Sequence, residues 1–168
     1  MLYTETVPDA TNFFDFAEKH GFALFPIQPD SKIPFKGCNW KKKASKDPAR
    51  WRQWASDLPG CNWAMYAAAS GLIVADIDVK VGAAAAWAAW CKVCEGWGLL
   101  GPLQPTVTTP SGGFHVYLTI PNGVDPYSLR QPALVPGVID LRVNGYVLVP
   151  PSKIGVNAYS KIEVSNAL

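Results

Sequence analysis

The most informative stretch of the sequence is Leu72-Ile-Val-Ala-Asp76-Ile-Asp78-Val79. Its branched apolar residues predict a β-strand, on which side chains alternate between two faces. Asp76 and Asp78 therefore share one face, with their Cα atoms roughly 6.6 Å apart. Two carboxylates on one face of an apolar strand repel each other unless a divalent ion or water neutralises them. The pattern indicates either a metal site or a strand end that dips into solvent.

A third carboxylate lies in a second apolar segment, Val138-Ile-Asp140-Leu-Arg142-Val143. Asp140 and Arg142 share one face of this predicted strand. Three aspartates on adjacent strands would form a hard-oxygen site of the type that binds Mg²⁺ or Mn²⁺ together with substrate phosphates. Arg142 has two interpretations at this stage, because it can pair with Asp140 or contact a phosphate.

Between these strands lies the segment Thr109-Pro-Ser111-Gly-Gly113-Phe-His115-Val-Tyr117. Its Gly-Gly pair permits unusual backbone angles and the close approach of a ligand. A lone histidine in a strand usually has a structural role. Directly after this turn, however, His115 becomes a candidate phosphate ligand, and Ser111 offers a hydroxyl donor beside it.

The order of predicted elements favours an α+β fold with helices on one face of a sheet. Caps and apolar spacing predict helices at residues 9–20, 47–58 and 82–97, and strands at 22–27, 62–68, 71–79, 105–109, 113–120, 138–143 and 145–149. Residues 28–46 show no periodicity and are expected to form a long loop. The length suits one domain, placed at residues 1–168, and leaves room for a domain downstream.

Composition excludes several classes of protein. The chain is 49% apolar and 17% charged, which argues against wholesale disorder. It has no run of 18 apolar residues, and its first residues do not resemble a signal peptide, so neither a membrane span nor secretion is expected. Four cysteines are expected to be reduced thiols, and zinc is not expected because Cys91 and Cys94 fall within the Ala-rich helix. The expected location is the cytoplasm.

The basic residues are concentrated in residues 32–52. This window holds eight basic residues and one acidic residue, a formal charge of +7, which leaves −5 on the rest of the chain. Such a separation is typical of a protein that grips a polyanion and holds metal ions elsewhere. The alternative is a solvated, lysine-rich surface loop.

In order and spacing, these motifs resemble the primase–polymerase (prim-pol) family of the archaeo-eukaryotic primase superfamily. The resemblance rests on Asp76-x-Asp78, Ser111-Gly-Gly-Phe-His115, Ile139-Asp140 and Gly145-Tyr-Val-Leu-Val-Pro-Pro-Ser152. Shorter elements precede them, namely Pro26-Ile-x-Pro29, Lys32-x-Pro34 with Trp40, and Asp47-Pro48 with Trp54. The likeness extends over about residues 20–160.

The resemblance implies a compact fold whose catalytic half is similar to an RNA-recognition sheet, with a smaller N-terminal α/β lobe. It implies a template-dependent nucleotidyltransferase, a DNA primase and DNA polymerase that extends or starts strands from nucleoside triphosphates. Asp76, Asp78 and Asp140 would bind two divalent ions, Mg²⁺ or Mn²⁺, and His115 would bind the triphosphate. The expected partners are a single-stranded DNA template, a primer and a downstream helicase or accessory helical domain.

The remaining candidate contacts fall into two groups. The nucleotide-binding candidates besides His115 are Ser111, Gly113, Arg142 and Lys32, the last because it belongs to the family's Lys-x-Pro element. The template-binding candidates are Lys36, Lys41, Lys42, Lys43, Arg50 and Arg52, with Trp40 as a base-stacking platform. The sequence departs from the family at Gly113, where many members carry Ser, and at Phe114, where a basic residue is frequent.

Two other functions are compatible with parts of the pattern. A sugar-nucleotide transferase of the Asp-x-Asp type would use Asp76 and Asp78, but it gives no role to the basic window or to His115. A non-catalytic module that binds single-stranded nucleic acid would use the lysines. It would not need three acidic residues, because acids repel phosphate in the absence of a metal.

Overall fold

A computed structural model of the chain describes the backbone of residues 4–7 and 10–164 and the side chains of residues 13–162. Within these residues the α-helices are α1 (Ala10–His20), α2 (Trp40–Lys43), α3 (Pro48–Asp57) and α4 (Ala83–Gly96). Two short 3₁₀ helices, η1 and η2, span Ala68–Ser70 and Pro126–Ser128. No helix in this part of the chain is long and apolar enough to cross a membrane.

The strands of the described residues form three sheets, in which every pairing is antiparallel. The seven-stranded sheet has the order β1 (Thr4–Val7), β12 (Ser160–Val164), β5 (Val107–Thr108), β6 (Phe114–Thr119), β4 (Leu72–Ile77), β8 (Ile139–Arg142) and β7 (Ala133–Val135). The three-stranded sheet has the order β2 (Leu24–Ile27), β3 (Asn62–Tyr66) and β9 (Tyr146–Val149). Strands β10 (Lys153–Ile154) and β11 (Asn157–Ala158) form a two-stranded ribbon.

Strand β4 lies inside the large sheet, and the alternation of its side chains divides the core into two clusters. On one face, Ala75 and Ile77 pack with Trp90 of α4 and Val116 of β6. On the other face, Val74 belongs to a larger cluster that includes residues of the smaller sheet, α1 and α3. Apolar layers therefore cover both faces of β4, and a charged side chain on this strand needs a gap between them to reach solvent.

The smaller lobe is not built from N-terminal residues alone, which corrects the expectation from the sequence. Its third strand is β9, which pairs with β3 from Trp63 opposite Val149 to Tyr66 opposite Tyr146. Only three residues separate β8 of the large sheet from β9 of the small one. This short connection keeps the two sheets close to each other.

Helix α3 begins where the sequence predicts. The carboxylate of Asp47 accepts a hydrogen bond from the N–H of Ala49 at 2.9 Å, and Pro48 occupies the first turn. The buried face of the helix carries Trp51 and Trp54. This packing fixes the C-terminal part of the basic window.

Helix α2 lies inside the segment that the sequence predicts as an irregular loop. The side chain of Asn39 caps it by accepting a hydrogen bond from the N–H of Lys42 at 3.4 Å. The ring of Trp40 stacks on Phe25 of β2, with centroids 5.7 Å apart. A cap and one aromatic anchor thus order a lysine-rich turn that has no repeating pattern of its own.

Candidate active site

Three polar side chains form one row across the middle of the large sheet. Asp76 of β4 lies opposite Asp140 of β8 on one side and opposite His115 of β6 on the other. Directly opposed residues on neighbouring strands share a face, with Cβ atoms about 4.5–5.5 Å apart. The row is on the face of Val74, which is directed toward the smaller lobe. The register therefore brings together two of the predicted metal ligands and the predicted phosphate ligand.

Arg142 lies between the two carboxylates of this row. Its Nη2 donates a hydrogen bond to Oδ2 of Asp140 at 3.0 Å, and its Nε lies 3.8 Å from Oδ2 of Asp76. One guanidinium group therefore offsets the repulsion between two acids. The side chains of all three residues are between 33% and 46% exposed, so a ligand in the cleft can reach them. Of the two interpretations of Arg142, the pairing with Asp140 is the one present in the structure.

Asp78 is not brought into this row. It follows the last residue of β4, although its N–H still donates to the carbonyl of Val138 at 2.8 Å. Its carboxylate instead contacts Lys80, whose Nζ lies 2.7 Å from Oδ2, and the hydrogen bond from Lys80 lowers the pKa of Asp78. Among the described residues, no three histidine, cysteine or acidic side chains are grouped closely enough to hold a metal ion. The three-carboxylate site stays a prediction.

His115 forms the buried end of the row, with only 4% of its side chain exposed. Its Nε2 lies 3.6 Å from Oδ1 of Asp76, and within the described structure its Nδ1 has no hydrogen-bond partner. Burial lowers the pKa of His115 to about 4, so the imidazole is neutral near pH 7. A neutral imidazole has one N–H donor and one acceptor nitrogen. His115 can therefore offer a single hydrogen bond to a ligand without adding a charge.

A cleft of about 390 Å³ opens above the row, between the two sheets. This volume is within the range of sites that bind small molecules. The polar side chains that line it are Lys32, Asp76, His115, Gln131 and Arg142, and the aromatic ones are Trp40, Tyr146 and Tyr159. Lys32, predicted from its motif, is held on the wall by the hydroxyl of Tyr146, which donates to the Lys32 carbonyl at 3.0 Å.

The Ser-Gly-Gly turn is placed beside the cleft and not inside it. Ser111 is exposed, exchanges a hydrogen bond with Thr109 at 3.1 Å, and lines an adjoining groove together with Lys32. Gly113 is buried, and a methyl group at its Cα would overlap the carbonyl oxygen of Ile77. The glycine is therefore required for the close approach of β6 to β4. Contact of Ser111 or Gly113 with a nucleotide stays a prediction.

Two residues of the cleft were missed by the sequence analysis. Tyr159 is 4% exposed, and its ring lies 5.8 Å from that of His115. Burial, with a smaller contribution from the charge of Asp76, raises the pKa of Tyr159 to about 12. Gln131 accepts a hydrogen bond from the N–H of Val143 at 3.0 Å. Neither residue belongs to a recognisable motif, and only the pairing of distant strands brings them to the site.

The predicted template-binding residues are dispersed over the surface next to the cleft. Trp40 lines the cleft itself, and Lys41 lies over its ring with Nζ 5.5 Å from the centroid. Lys43 and Arg50 both lie over Trp54 of α3. The other candidates, Lys36, Lys42 and Arg52, are exposed. Of these, Arg52 lines a separate groove between α1 and α3, beside Asp15 and Glu18, and is not part of the cleft.

Comparison with known proteins identifies the family. Residues 14–166 match the model of the Prim-Pol family, described as bifunctional DNA primase/polymerase, N-terminal. Because this match covers most of the 168 residues, the chain belongs to that family, and the resemblance stated from its motifs is confirmed. A comparison with curated proteins found no match.

Proposed function

We propose that the chain is a template-dependent nucleotidyltransferase that extends or starts DNA strands from nucleoside triphosphates. The observation that carries the proposal is the row Asp140–Asp76–His115, two members of which, Asp76 and His115, line the cleft. It combines two accessible carboxylates with one neutral hydrogen-bonding group. Membership of the Prim-Pol family supports the same reaction class.

The residues of the row fit divalent metal ions of the Mg²⁺ or Mn²⁺ type. Asp76 and Asp140 offer hard oxygen donors on adjacent strands, and both side chains are partly exposed. Asp78 would join them once its carboxylate is released from Lys80. Two such ions, when bound, lower the pKa of an attacking hydroxyl and stabilise charge on the transferred phosphoryl group.

The cationic and neutral donors of the cleft are suited to the triphosphate. Arg142 and Lys32 both line the cleft and supply positive charge, and Arg142 can contact a phosphate once the acids are otherwise neutralised. His115 supplies one N–H donor, and Ser111 supplies a hydroxyl from the adjoining groove. In the reaction, the primer 3′-hydroxyl loses its proton to solvent and its oxygen bonds to the α-phosphorus, while the bond from the α-phosphorus to the bridging oxygen breaks and pyrophosphate leaves. Our proposal gives these residues the task of holding the phosphates in line for that attack.

The large sheet provides the scaffold for this chemistry. Its elements follow the order β4, α4, β5, β6, η2, β7 and β8. Apart from the short edge strand β7, this order parallels a β-α-β-β-α-β unit with a 3₁₀ turn in place of the second helix. We take this unit to be the counterpart of the RNA-recognition-like sheet implied by the family. The basic window would face the template, and a helicase or accessory helical domain would act with the chain in replication.

The proposal is tested by incubating the protein with labelled nucleotide, Mg²⁺ or Mn²⁺, and single-stranded template with or without a primer. Asp140→Asn should keep the fold and reduce turnover by several orders of magnitude, because it removes a metal-binding charge but keeps the shape of the side chain. Glu95→Gln is the matched control, since Glu95 is exposed on α4, which packs on the opposite face of the sheet.

The outcomes separate the proposal from its alternatives. Extension of primed template alone would identify a polymerase, and products on unprimed template would add priming. If the wild-type protein binds single strands but extends neither template, the proposal is wrong and the non-catalytic module is favoured. Near-normal extension by Asp140→Asn would remove Asp140 from the site.

A further inference from the structure

Four aromatic side chains form a continuous strip from the cleft to the surface. Tyr146 and Trp40 line the cleft, with ring centroids 5.0 Å apart. Trp40 contacts Tyr66 at 5.1 Å, and Tyr66 contacts Tyr127 of η2 at 6.2 Å. We call these four residues the aromatic strip. Its inner end lies beside the acidic row. Tyr66 is only 4% exposed and supports the ring of Tyr127, which is 58% exposed and forms the outer end.

The turn that carries Tyr127 is held firmly in place. The Nδ2 of Asn144 lies within hydrogen-bonding distance of three carbonyl oxygens of this turn, those of Pro126, Tyr127 and Leu129. The carboxylate of Asp125 caps η2 by accepting from the N–H of Tyr127 at 3.0 Å. An exposed ring on an ordered turn loses little conformational freedom when it binds a flat partner.

Away from the acidic row, the charges along the strip are mainly positive. Lys41 lies over Trp40, and Lys42, next to it on α2, is exposed. Arg130 is exposed just after η2. The one acid of the turn, Asp125, already accepts the capping hydrogen bond. Aromatic rings beside basic side chains favour a partner that has flat apolar groups on an anionic backbone.

We propose that a single-stranded DNA template passes along the exposed outer end of the aromatic strip, and that Tyr127 stacks on one of its bases. This inference rests on the proposed function and extends it, because η2 lies outside the basic window of residues 32–52. Every base has a π-face, so stacking on Tyr127 is independent of sequence. The lysines of α2 would neutralise the backbone phosphates of the same strand.

The test measures binding of a fluorescently labelled oligodeoxythymidylate by anisotropy, in EDTA and without nucleotide. Tyr127→Ala should weaken binding about five- to tenfold, at the lower end of the loss reported for one stacked base. Tyr127→Phe keeps the ring and should bind within about twofold of wild type. Leu100→Ala, a change at a fully exposed apolar residue beyond α4, is the control and should have no effect.

A strand of the same length with abasic sugars distinguishes stacking from other contacts. Wild type and Tyr127→Ala should bind this strand equally, because it has no base to stack. The inference is overturned if Tyr127→Ala binds the normal strand as wild type does, if Tyr127→Phe loses as much as Tyr127→Ala, or if the abasic strand shows the same loss.

This binding assay does not depend on catalysis. A loss of binding in Tyr127→Ala, together with a wild-type protein that extends no primer, would keep the template path and overturn the proposed function. If wild type extends the primer and Tyr127→Ala binds the strand as wild type does, the proposed function is kept and the template path is overturned.

Discussion

At the scale of single residues, the site contains groups that a strand interior ordinarily disfavours. Asp76 and Asp140 face each other on neighbouring strands, in positions where apolar side chains would pack against the smaller lobe. Arg142 offsets their charge through contacts of 3.0 and 3.8 Å. Such conflicts between local pattern and local charge are expected at functional sites. A cation that binds the two carboxylates would therefore take the place of this guanidinium group.

His115 tests the assignment of the nucleotide site at this scale. His115→Ala should raise the nucleotide KM by about tenfold, because one hydrogen bond to a charged phosphate is lost. Template affinity should change much less, since the ring is buried below the cleft. Steady-state kinetics and oligonucleotide anisotropy measure the two quantities, at a temperature where thermal unfolding shows the variant to be folded.

His20→Ala is the control for His115→Ala, because His20 packs on Phe16 of α1 and does not line the cleft. It should leave the nucleotide KM unchanged. A variant of His115 with normal nucleotide KM and greatly weakened template binding would show that His115 belongs to the template surface instead.

At the scale of secondary-structure elements, the helices and strands with clear local sequence signals were predicted, and the others were not. Helices α1, α3 and α4 and strands β4, β6 and β8 lie close to their predicted positions, because caps, turns and alternation mark them. Strands β10 and β11 have two residues each, which is too short for a periodic signal. Strand β12 acquires its role by pairing with β5 and β1, and a sequence pattern does not specify such distant partners.

The individual residues of the site could be predicted from the sequence, but their arrangement in space could not. Asp76, Asp140 and His115 interrupt apolar runs, so the sequence marks them individually. Their register across three strands is a property of the sheet, and so is the arrival of Tyr159. The position of Asp78 was not predictable, because it depends on where β4 ends and on the contact with Lys80.

Gly113 provides a test of how closely β6 and β4 must approach. Gly113→Ala should lower the free energy of unfolding by about 1–3 kcal/mol, because a methyl group there meets the backbone of β4, which cannot move without disturbing the sheet. Urea denaturation measures the change. Gly101→Ala is the matched control, since its Cβ would meet no atom within 4 Å. Equal stability of the two variants would show that the turn adapts to a side chain.

At the scale of the whole molecule, the basic surface and the acidic site lie in different regions. The window of residues 32–52 carries +7 and the rest of the chain −5, while Asp76 of the acidic row lines a cleft between the two sheets. Helix α2 joins the two regions, because Trp40 lines the cleft, and Lys41 and Lys42, which follow it, are exposed. A polyanion can therefore bind the basic surface while its end, or a nucleotide, reaches the acids.

The salt dependence of binding tests this arrangement. Replacing Lys41, Lys42 and Lys43 together by Ala should weaken binding of a single-stranded oligonucleotide and reduce the slope of log K against log salt. The reduction should reach up to about 2 if all three contact phosphates, because each lost contact releases about 0.7 fewer counterions per strand.

Anisotropy titrations at several salt concentrations give the slope, with Lys92→Ala on α4 as a control that should leave it unchanged. The variant Tyr127→Ala should weaken binding with no change of slope, because stacking releases no counterions. A triple variant with the wild-type slope would identify α2 as a solvated surface, and the basic window would then have no part in holding the template.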